Sequence, residues 1–259
     1  MRTHVLKVAL VLSSLAFAGC DNPSSPGLDS ASASASASTA PAASAALDAS
    51  GKRAFTVTPD IAVDERGIAV GPERIDLGEA TGAGKLSEAL ERIPADGKQP
   101  AVRTTTKSNL RDVGAVLDGL GKRGFKTILL KMEGARTDLL GEYVVVPERH
   151  VDKPEDCSAV VSVLEDSSTA VWPVRGGGGK KARKGLSGPD LSVTGENVVD
   201  QLKGCSSKVA FFSANAKMRW EHAFHVGALL RKSDSKSIIE QLVFLAKEPV
   251  AGLPVKLEK

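Results

Sequence analysis

Apolar residues recur in short runs from Phe55 onward, and these runs occur twice in the same order. In each series two β-branched segments precede an amphipathic helix, a strand, a second helix and a final strand. The spacing predicts a β-β-α-β-α-β unit of about 80 to 90 residues that is repeated once. We therefore predict an α+β fold with two copies of a mixed sheet, each carrying two helices on one face.

The elements predicted for the first copy end in an apolar strand, and an extra strand follows it. They are a hairpin over 57–75 with its turn at Asp64–Gly67, a helix Lys85–Ile93 that ends at Pro94, a strand Ala101–Thr106, a helix capped by Ser108, a strand Lys126–Met132 and the extra strand Tyr143–Val146.

The second copy is predicted to repeat this series. Its elements are a hairpin of Ala159–Leu164 and Thr169–Val174, a helix Glu196–Lys203, a strand Lys208–Ser213, a helix Trp220–Lys232 and a strand Ser237–Leu245. Five apolar positions support the duplication because they recur at a constant offset of 110: Leu110, Val113, Val116, Leu120 and Ile128 correspond to Trp220, Ala223, Val226, Leu230 and Ile238.

The N-terminus carries an export signal. Arg2 and Lys7 precede the apolar stretch Val8–Ala18, which has the length of a signal-peptide core. Small residues directly before Cys20 resemble the bacterial lipobox, which implies that Cys20 is lipidated and becomes the mature N-terminus. The alternative is an ordinary secretory signal with an incidental cysteine. Asp21 fits retention at the inner membrane in enterobacterial lipoproteins, but the choice between inner and outer membrane stays open.

Residues 20–52 form an Ala/Ser-rich linker between this signal and the folded part. Such a composition offers no apolar face to bury, so we expect a disordered tether. As a flexible coil of ~30 residues it has an end-to-end distance of about 30 Å. The predicted organisation is therefore a signal peptide at 1–19, the linker at 20–52, and two domains at 53–148 and 149–259.

Composition narrows the classes of function. Lysine and arginine number 34 against 31 acidic residues, and this formal net charge of +3 argues against a dedicated nucleic-acid binder. Three cysteines are too few for a disulfide-dense scaffold or a paired CxxC zinc site. The sequence has no apolar run of the ~20 residues that a transmembrane helix needs.

Two cysteines form a candidate disulfide. Cys157 and Cys205 lie just before the first and third predicted strands of the second copy, and thiols of an exported protein are usually oxidised. If those strands are neighbours, their starts lie within the ~5.5 Å that a disulfide requires. The alternative is a pair of buried free thiols.

A glycine-rich segment leads into a cluster of cations. The run Gly176–Gly179 is flanked by Arg175, Lys180, Lys181, Arg183 and Lys184, but it lacks the spacing of a phosphate-binding P-loop. It is interpreted either as a flexible hairpin loop or as an anion-binding loop for anionic lipid, lipopolysaccharide or cell-wall polymer.

No arrangement typical of catalysis is found. His222 and His225 share a helix face, but they have no evident third metal ligand, and we interpret them as boundary histidines beside Trp220 and Phe224. There is no Gly-x-Ser-x-Gly motif and no conspicuous pair of carboxylates. We predict no catalytic residue, no metal and no cofactor.

The first copy resembles the periplasmic domain of the ExbD/TolR family. The resemblance lies in the line of elements: Ile61–Val70 as hairpin, Leu86–Ile93 as helix, Val102–Lys107 as strand, Val113–Phe125 as helix ending in Lys-Arg-Gly, and Thr127–Lys131 as final strand. It covers the second copy poorly. The resemblance implies a membrane-tethered interaction domain. The family's proton-handling transmembrane helix is missing, so that half of its function is not carried over.

The function expected from these features is that of a lipid-anchored periplasmic interaction protein. Its expected partners are the membrane, through the lipid on Cys20, and either peptidoglycan or an envelope protein such as an ExbB/TolQ-like motor or an outer-membrane component. The alternative is a lipid-tethered envelope hydrolase with an unrecognised active site. ExbD-like domains tend to dimerise, but two copies that pair within one chain predict a monomer.

Overall fold

The structure is a computed structural model, and it describes residues 54–151, 153–231 and 239–257. The chain divides into the units Met1–Ala43 and Ser44–Lys259, and every described residue belongs to the second. Within the described ranges, two mixed sheets and four α-helices confirm the predicted α+β class. Cys20 and the predicted linker at 20–52 lie outside the described residues.

The first sheet has six strands in the order β3-β2-β1-β4-β5-β6. Strands β1, β4 and β5 are parallel, and the others pair antiparallel. The predicted extra strand is confirmed as β6. The elements are β1 Ile61–Asp64, β2 Gly67–Val70, β3 Glu73–Ile75, α1 Gly82–Glu91, β4 Ala101–Thr105, α2 Leu110–Lys122, β5 Ile128–Glu133 and β6 Glu142–Val145.

The second sheet has five strands in the order β11-β10-β7-β8-β9, with the same pairing directions as β5-β4-β1-β2-β3. A short 3-10 turn at Glu148–His150 joins the halves, at the predicted boundary between domains. The elements are β7 Ala159–Val163, β8 Thr169–Pro173, β9 Lys180–Ala182, α3 Leu191–Leu202, β10 Val209–Ala214, α4 Trp220–Arg231 and β11 Gln241–Phe244.

Apart from β6, which was predicted separately, each half therefore has one strand more than the predicted β-β-α-β-α-β unit. The additional strands β3 and β9 have three residues each, too few to show a period of two in the sequence. Within each half the two helices contact each other, which places them on one face of their sheet as predicted.

Two predicted helix starts are corrected by local hydrogen bonds. Asn109, not Ser108, caps α2, because its side chain accepts a hydrogen bond from Arg111 N–H while Ser108 Oγ donates to Val63 O. Helix α3 begins at Leu191, ahead of the predicted Glu196, because the side chain of Asp190 caps it. Strand β11 spans Gln241–Phe244, within the predicted Ser237–Leu245, of which Ser237 and Ile238 lie outside the described residues.

The outer faces of the two sheets, opposite the helices, differ in chemistry. On the second sheet the fully buried side chains Val160, Trp172 and Phe211 form a separate apolar cluster, onto which the C-terminal segment packs. Trp172 Nε1–H donates to Leu253 O at 3.1 Å. On the first sheet the outer face instead carries the exposed cation Arg103, which is ion-paired with Asp60 and Glu133.

The two halves share one hydrophobic core. Val146 N–H donates to Leu242 O at 2.8 Å, which joins the chain after β6 to β11. Tyr143 Oη donates to Phe224 O at 3.1 Å, and α4 approaches closely there because Gly227 has no side chain. A fragment that begins at Ser44 therefore contains every described element and its whole core.

Candidate functional site

A polar cleft of about 520 Å³ lies between the two halves. Three connections form it: the turn after β1, the loop between β4 and α2, and the loop between β10 and α4. It opens at the carboxyl ends of strands, the edge at which α/β sheets usually bind ligands. Its lining residues are Asp64–Gly67, Asp76, Lys107–Asp112 and Ala216–Arg219.

Short-range hydrogen bonds fix the three connections. Asp64 Oδ1 accepts a hydrogen bond from Arg66 N–H at 2.8 Å, which closes the first turn. Asn109 caps α2 in the second connection, and in the third Asn215 Oδ1 accepts from Lys217 N–H at 3.0 Å. In each connection that borders the cleft, a side chain therefore accepts a hydrogen bond from the backbone two residues further on.

Most of the charged side chains that line the cleft form ion pairs with neighbouring residues of opposite charge. Burial tends to raise the pKa of the Asp64 carboxyl, but Arg74, which donates a hydrogen bond to it at 2.9 Å, lowers it more. The pKa of Asp64 therefore lies below its usual value. Lys217 pairs with Glu165 at 2.7 Å, which raises the pKa of its ammonium group. Among the described residues Lys107 has no ion-pair partner for its side chain.

A second, more apolar cleft of about 390 Å³ lies where α2, β6 and β11 meet. Gly114 and Leu117 border it on α2, and Phe244 borders it on β11. Its carboxylate Asp118 is held by Lys122 at 2.7 Å and by Arg149 at 3.1 Å. This cleft is part of the seam between the halves.

The predicted disulfide between Cys157 and Cys205 is confirmed, with a Cα–Cα distance of 5.8 Å. The two cysteines precede β7 and β10, which pair in parallel, so the strand starts lie side by side as expected. Ser158 and Ser207, each one or two residues further on, share a hydrogen bond of 2.6 Å between their hydroxyls. The disulfide closes a loop of 48 residues and restrains the unfolded chain.

The five cations of the predicted anion-binding loop are distributed along the edge of the second sheet. Lys180 and Lys181 lie on β9 and pair with Asp200 at 2.6 Å and Asp166 at 3.1 Å. Arg175 lies before the glycine run, and Arg183 and Lys184 follow β9. The glycine run is held at Gly177, whose N–H donates to Gly252 O at 2.8 Å. Anion binding by this loop stays a prediction.

The two helical histidines lie on α4, where it packs against the first half. His225 is 6% exposed, packs against Phe224, and its Nε2 has no hydrogen-bond partner among the described residues. Burial lowers the pKa of both His222 and His225. In the described part of the chain the one cluster of possible metal ligands is Glu155 with Cys157 and Cys205, whose sulfurs are joined in the disulfide.

The polar cleft was not singled out from the sequence. The sequence predicts only a turn at Asp64–Gly67, and no motif surrounds Lys107, Arg111 or Lys217. The available signal was positional, because polar residues follow the predicted strands Ala101–Thr106 and Lys208–Ser213 directly.

The chain matches no protein-family model, no curated protein and no solved structure. The resemblance to the ExbD/TolR family therefore rests on the sequence pattern alone. None of the helices in residues 54–151, 153–231 and 239–257 has the length and apolar character needed to cross a membrane.

Proposed function

We propose that this chain is a lipid-anchored protein of the bacterial envelope whose folded part binds a protein or cell-wall partner. The lipobox-like sequence before Cys20 supports the anchor, and the ExbD/TolR-like line of elements supports a periplasmic interaction domain. The partner is peptidoglycan, a motor protein of the ExbB/TolQ kind or an outer-membrane component. The binding role requires no proton-conducting helix.

The observation that carries this proposal is the charge-paired polar cleft between the halves. A general acid or base works best with a pKa near the operating pH, whereas the pKa of Asp64 is shifted away from neutrality by Arg74. Charges fixed by neighbours and open to solvent suit recognition of a charged or polar surface. The unpaired Lys107 and the exposed Arg111 are the groups best placed to contact a partner.

The test combines a cell-wall assay with crosslinking. The 44–259 fragment is sedimented with isolated peptidoglycan sacculi, and the full chain carrying a photo-crosslinking residue at position 107 is illuminated in cells. We expect either retention on sacculi or one discrete crosslinked protein. Lys107→Glu with Arg111→Glu is expected to reduce that binding about tenfold or more, because like charges oppose the partner.

Lys126→Glu is the matched control, since Lys126 is also exposed and unpaired among the described residues but lies outside the cleft. Loss of binding in this control, or the absence of both sacculus binding and a crosslink, contradicts the proposed function.

The anchor is tested separately. Cys20→Ala, or treatment with the lipoprotein signal-peptidase inhibitor globomycin, is expected to abolish the processed, lipid-labelled form. An unchanged processed form shows that Cys20 is not lipidated.

A further inference from the structure

A tight turn on the second half presents a leucine to solvent. Gly185 N–H donates to Gly188 O at 2.7 Å, and Lys184 and Pro189 form a bridge beneath it. We call Lys184–Pro189 the Leu186 turn. The side chain of Leu186 at its tip is fully exposed, whereas the other exposed large hydrophobic residues of the described chain range from 36% to 69%.

Two adjacent cations lie at the start of the Leu186 turn. Arg183 and Lys184 are exposed, and within the described ranges neither side chain has an ion pair or hydrogen bond. The nearby acids are engaged elsewhere: Asp200 and Asp166 pair with lysines of β9. Asp190 caps α3 by accepting hydrogen bonds from Ser192 and Val193 N–H.

An exposed leucine beside free cations matches the chemistry of an anionic bilayer surface. Amphipathic membrane-surface segments place aliphatic side chains at the boundary with the acyl chains and cations among the headgroup phosphates. A soluble polyanion could pair with the cations but has no apolar region in which the leucine side chain could be buried. Because hydrogen bonds already hold the turn, little ordering entropy is lost on contact.

We propose that the Leu186 turn is a membrane-contact site, in which Leu186 enters the headgroup region of an anionic bilayer and Arg183 and Lys184 pair with its phosphates. The site deepens the proposed function by giving the folded part of an anchored protein a second contact with a membrane. The site requires neither the lipid on Cys20 nor the polar cleft. The membrane-contact proposal and the proposed function can therefore fail independently.

The test is co-sedimentation of the 44–259 fragment with vesicles of equal parts phosphatidylglycerol and phosphatidylethanolamine, compared with phosphatidylcholine vesicles. We expect binding to the anionic vesicles alone, weakening from about 0.05 M to about 0.5 M salt. Leu186→Ser is expected to reduce the partition coefficient about tenfold. Arg183→Gln with Lys184→Gln is expected to reduce it about twenty-five-fold, at roughly fivefold per cation.

Two matched controls remove the same chemistry elsewhere. Val199→Ser removes an aliphatic side chain that is 69% exposed on α3, and Lys126→Gln with Lys256→Gln removes two exposed cations. Both are expected to bind as the native fragment does. Equal losses in the controls overturn the proposal, and so does full binding by Leu186→Ser, which indicates a general polyanion site.

A gain-of-signal variant keeps the test decisive if the serine variant folds poorly. Leu186→Trp adds an exposed indole, whereas the native Trp172 and Trp220 are fully buried. We expect its emission to shift to shorter wavelength with anionic vesicles and to be quenched by brominated lipid. An unchanged spectrum overturns membrane contact at this turn.

Discussion

Trp220 donates its indole N–H from the second half to Thr104 Oγ1 in the first half, at 2.8 Å. Thr104 Oγ1 in turn donates to Lys131 O at 2.9 Å, so one hydroxyl group serves both halves. Trp220 is fully buried and Thr104 is 1% exposed. Water therefore cannot replace the hydrogen bond if the hydroxyl is removed.

We expect Thr104→Val to lower the free energy of unfolding by about 1 to 3 kcal/mol, because it leaves a buried indole N–H without an acceptor. Urea unfolding of the 44–259 fragment measures this change. Thr106→Val is the control: its hydroxyl has no hydrogen bond within the described residues, so a change within about 0.5 kcal/mol is expected. Equal stability of both variants contradicts this role of Thr104.

His225 is expected to make stability depend on pH. Burial lowers the pKa of its imidazole below the ordinary 6.5, Glu221 partly opposes this shift and Arg136 adds to it. The unfolded chain then binds the proton more readily than the folded chain. The free energy of unfolding should therefore be constant above about pH 6.5 and fall as the pH decreases below it.

His225→Leu is expected to reduce this acid-side decline when urea unfolding is compared at about pH 7.5 and about pH 5. His222 shares the lowered pKa, so part of the decline should remain. A pH dependence that is the same in His225→Leu and in the native fragment excludes His225 as its source.

At the scale of elements, two helical glycines with different surroundings predict opposite effects. A Cβ at Gly114 of α2 would lie 2.9 Å from Ala246 Cβ, whereas a Cβ at Gly84 of α1 meets nothing within 4 Å. Gly114→Ala is expected to destabilise the fold by about 1 to 3 kcal/mol through overpacking. Gly84→Ala is expected to stabilise it by about 0.4 to 1 kcal/mol.

Thermal unfolding of Gly114→Ala and Gly84→Ala, compared with the native fragment, measures both expected changes in stability. A gain in stability for Gly114→Ala would mean that α2 and the segment after β11 do not pack as closely as described.

The sequence predicts best the elements in which one face is buried, because the buried residues then recur at a regular spacing along the chain. Helix α2 buries Val113, Val116 and Leu120, as the apolar spacing indicates. The start of α3 is missed because Leu191–Gly195 shows little apolar period, and the deciding feature is the Asp190 cap. Adjacent cap candidates such as Ser108 and Asn109 are separated only by what their side chains contact in three dimensions.

At the scale of the whole molecule, the sequence predicts the disulfide but not the polar cleft. Cys157 and Cys205 each precede a predicted strand, and the structure supplies the condition that these strands are neighbours, because β7 and β10 pair in parallel. The cleft instead brings Arg219 of the second half next to Asp64 and Lys107 of the first, and Arg219 reaches them only because the halves pack together. The sequence pattern specifies each sheet separately and contains no information on the angle between them.

The packing of the halves also determines the expected oligomeric state. One core cluster contains apolar residues from both sheets, including Leu130 of β5, Tyr143 of β6 and Phe224 of α4. The apolar surface with which a separate half would bind a second chain is therefore already covered within one chain. The outermost strands β3 and β9 carry charged residues, which disfavour pairing between sheet edges.

We therefore expect the 44–259 fragment to have the mass of a monomer by light scattering over a wide range of concentration. The monomer is expected to be most easily disturbed at β9, because the charged side chains of Lys180 and Lys181 disfavour pairing of this edge strand with another chain. Lys180→Val with Lys181→Val should promote association through that edge, while Lys98→Val with Lys126→Val, which lie in connections and at no sheet edge, should not. A stable dimer of the native fragment would show that surface outside the shared core drives assembly.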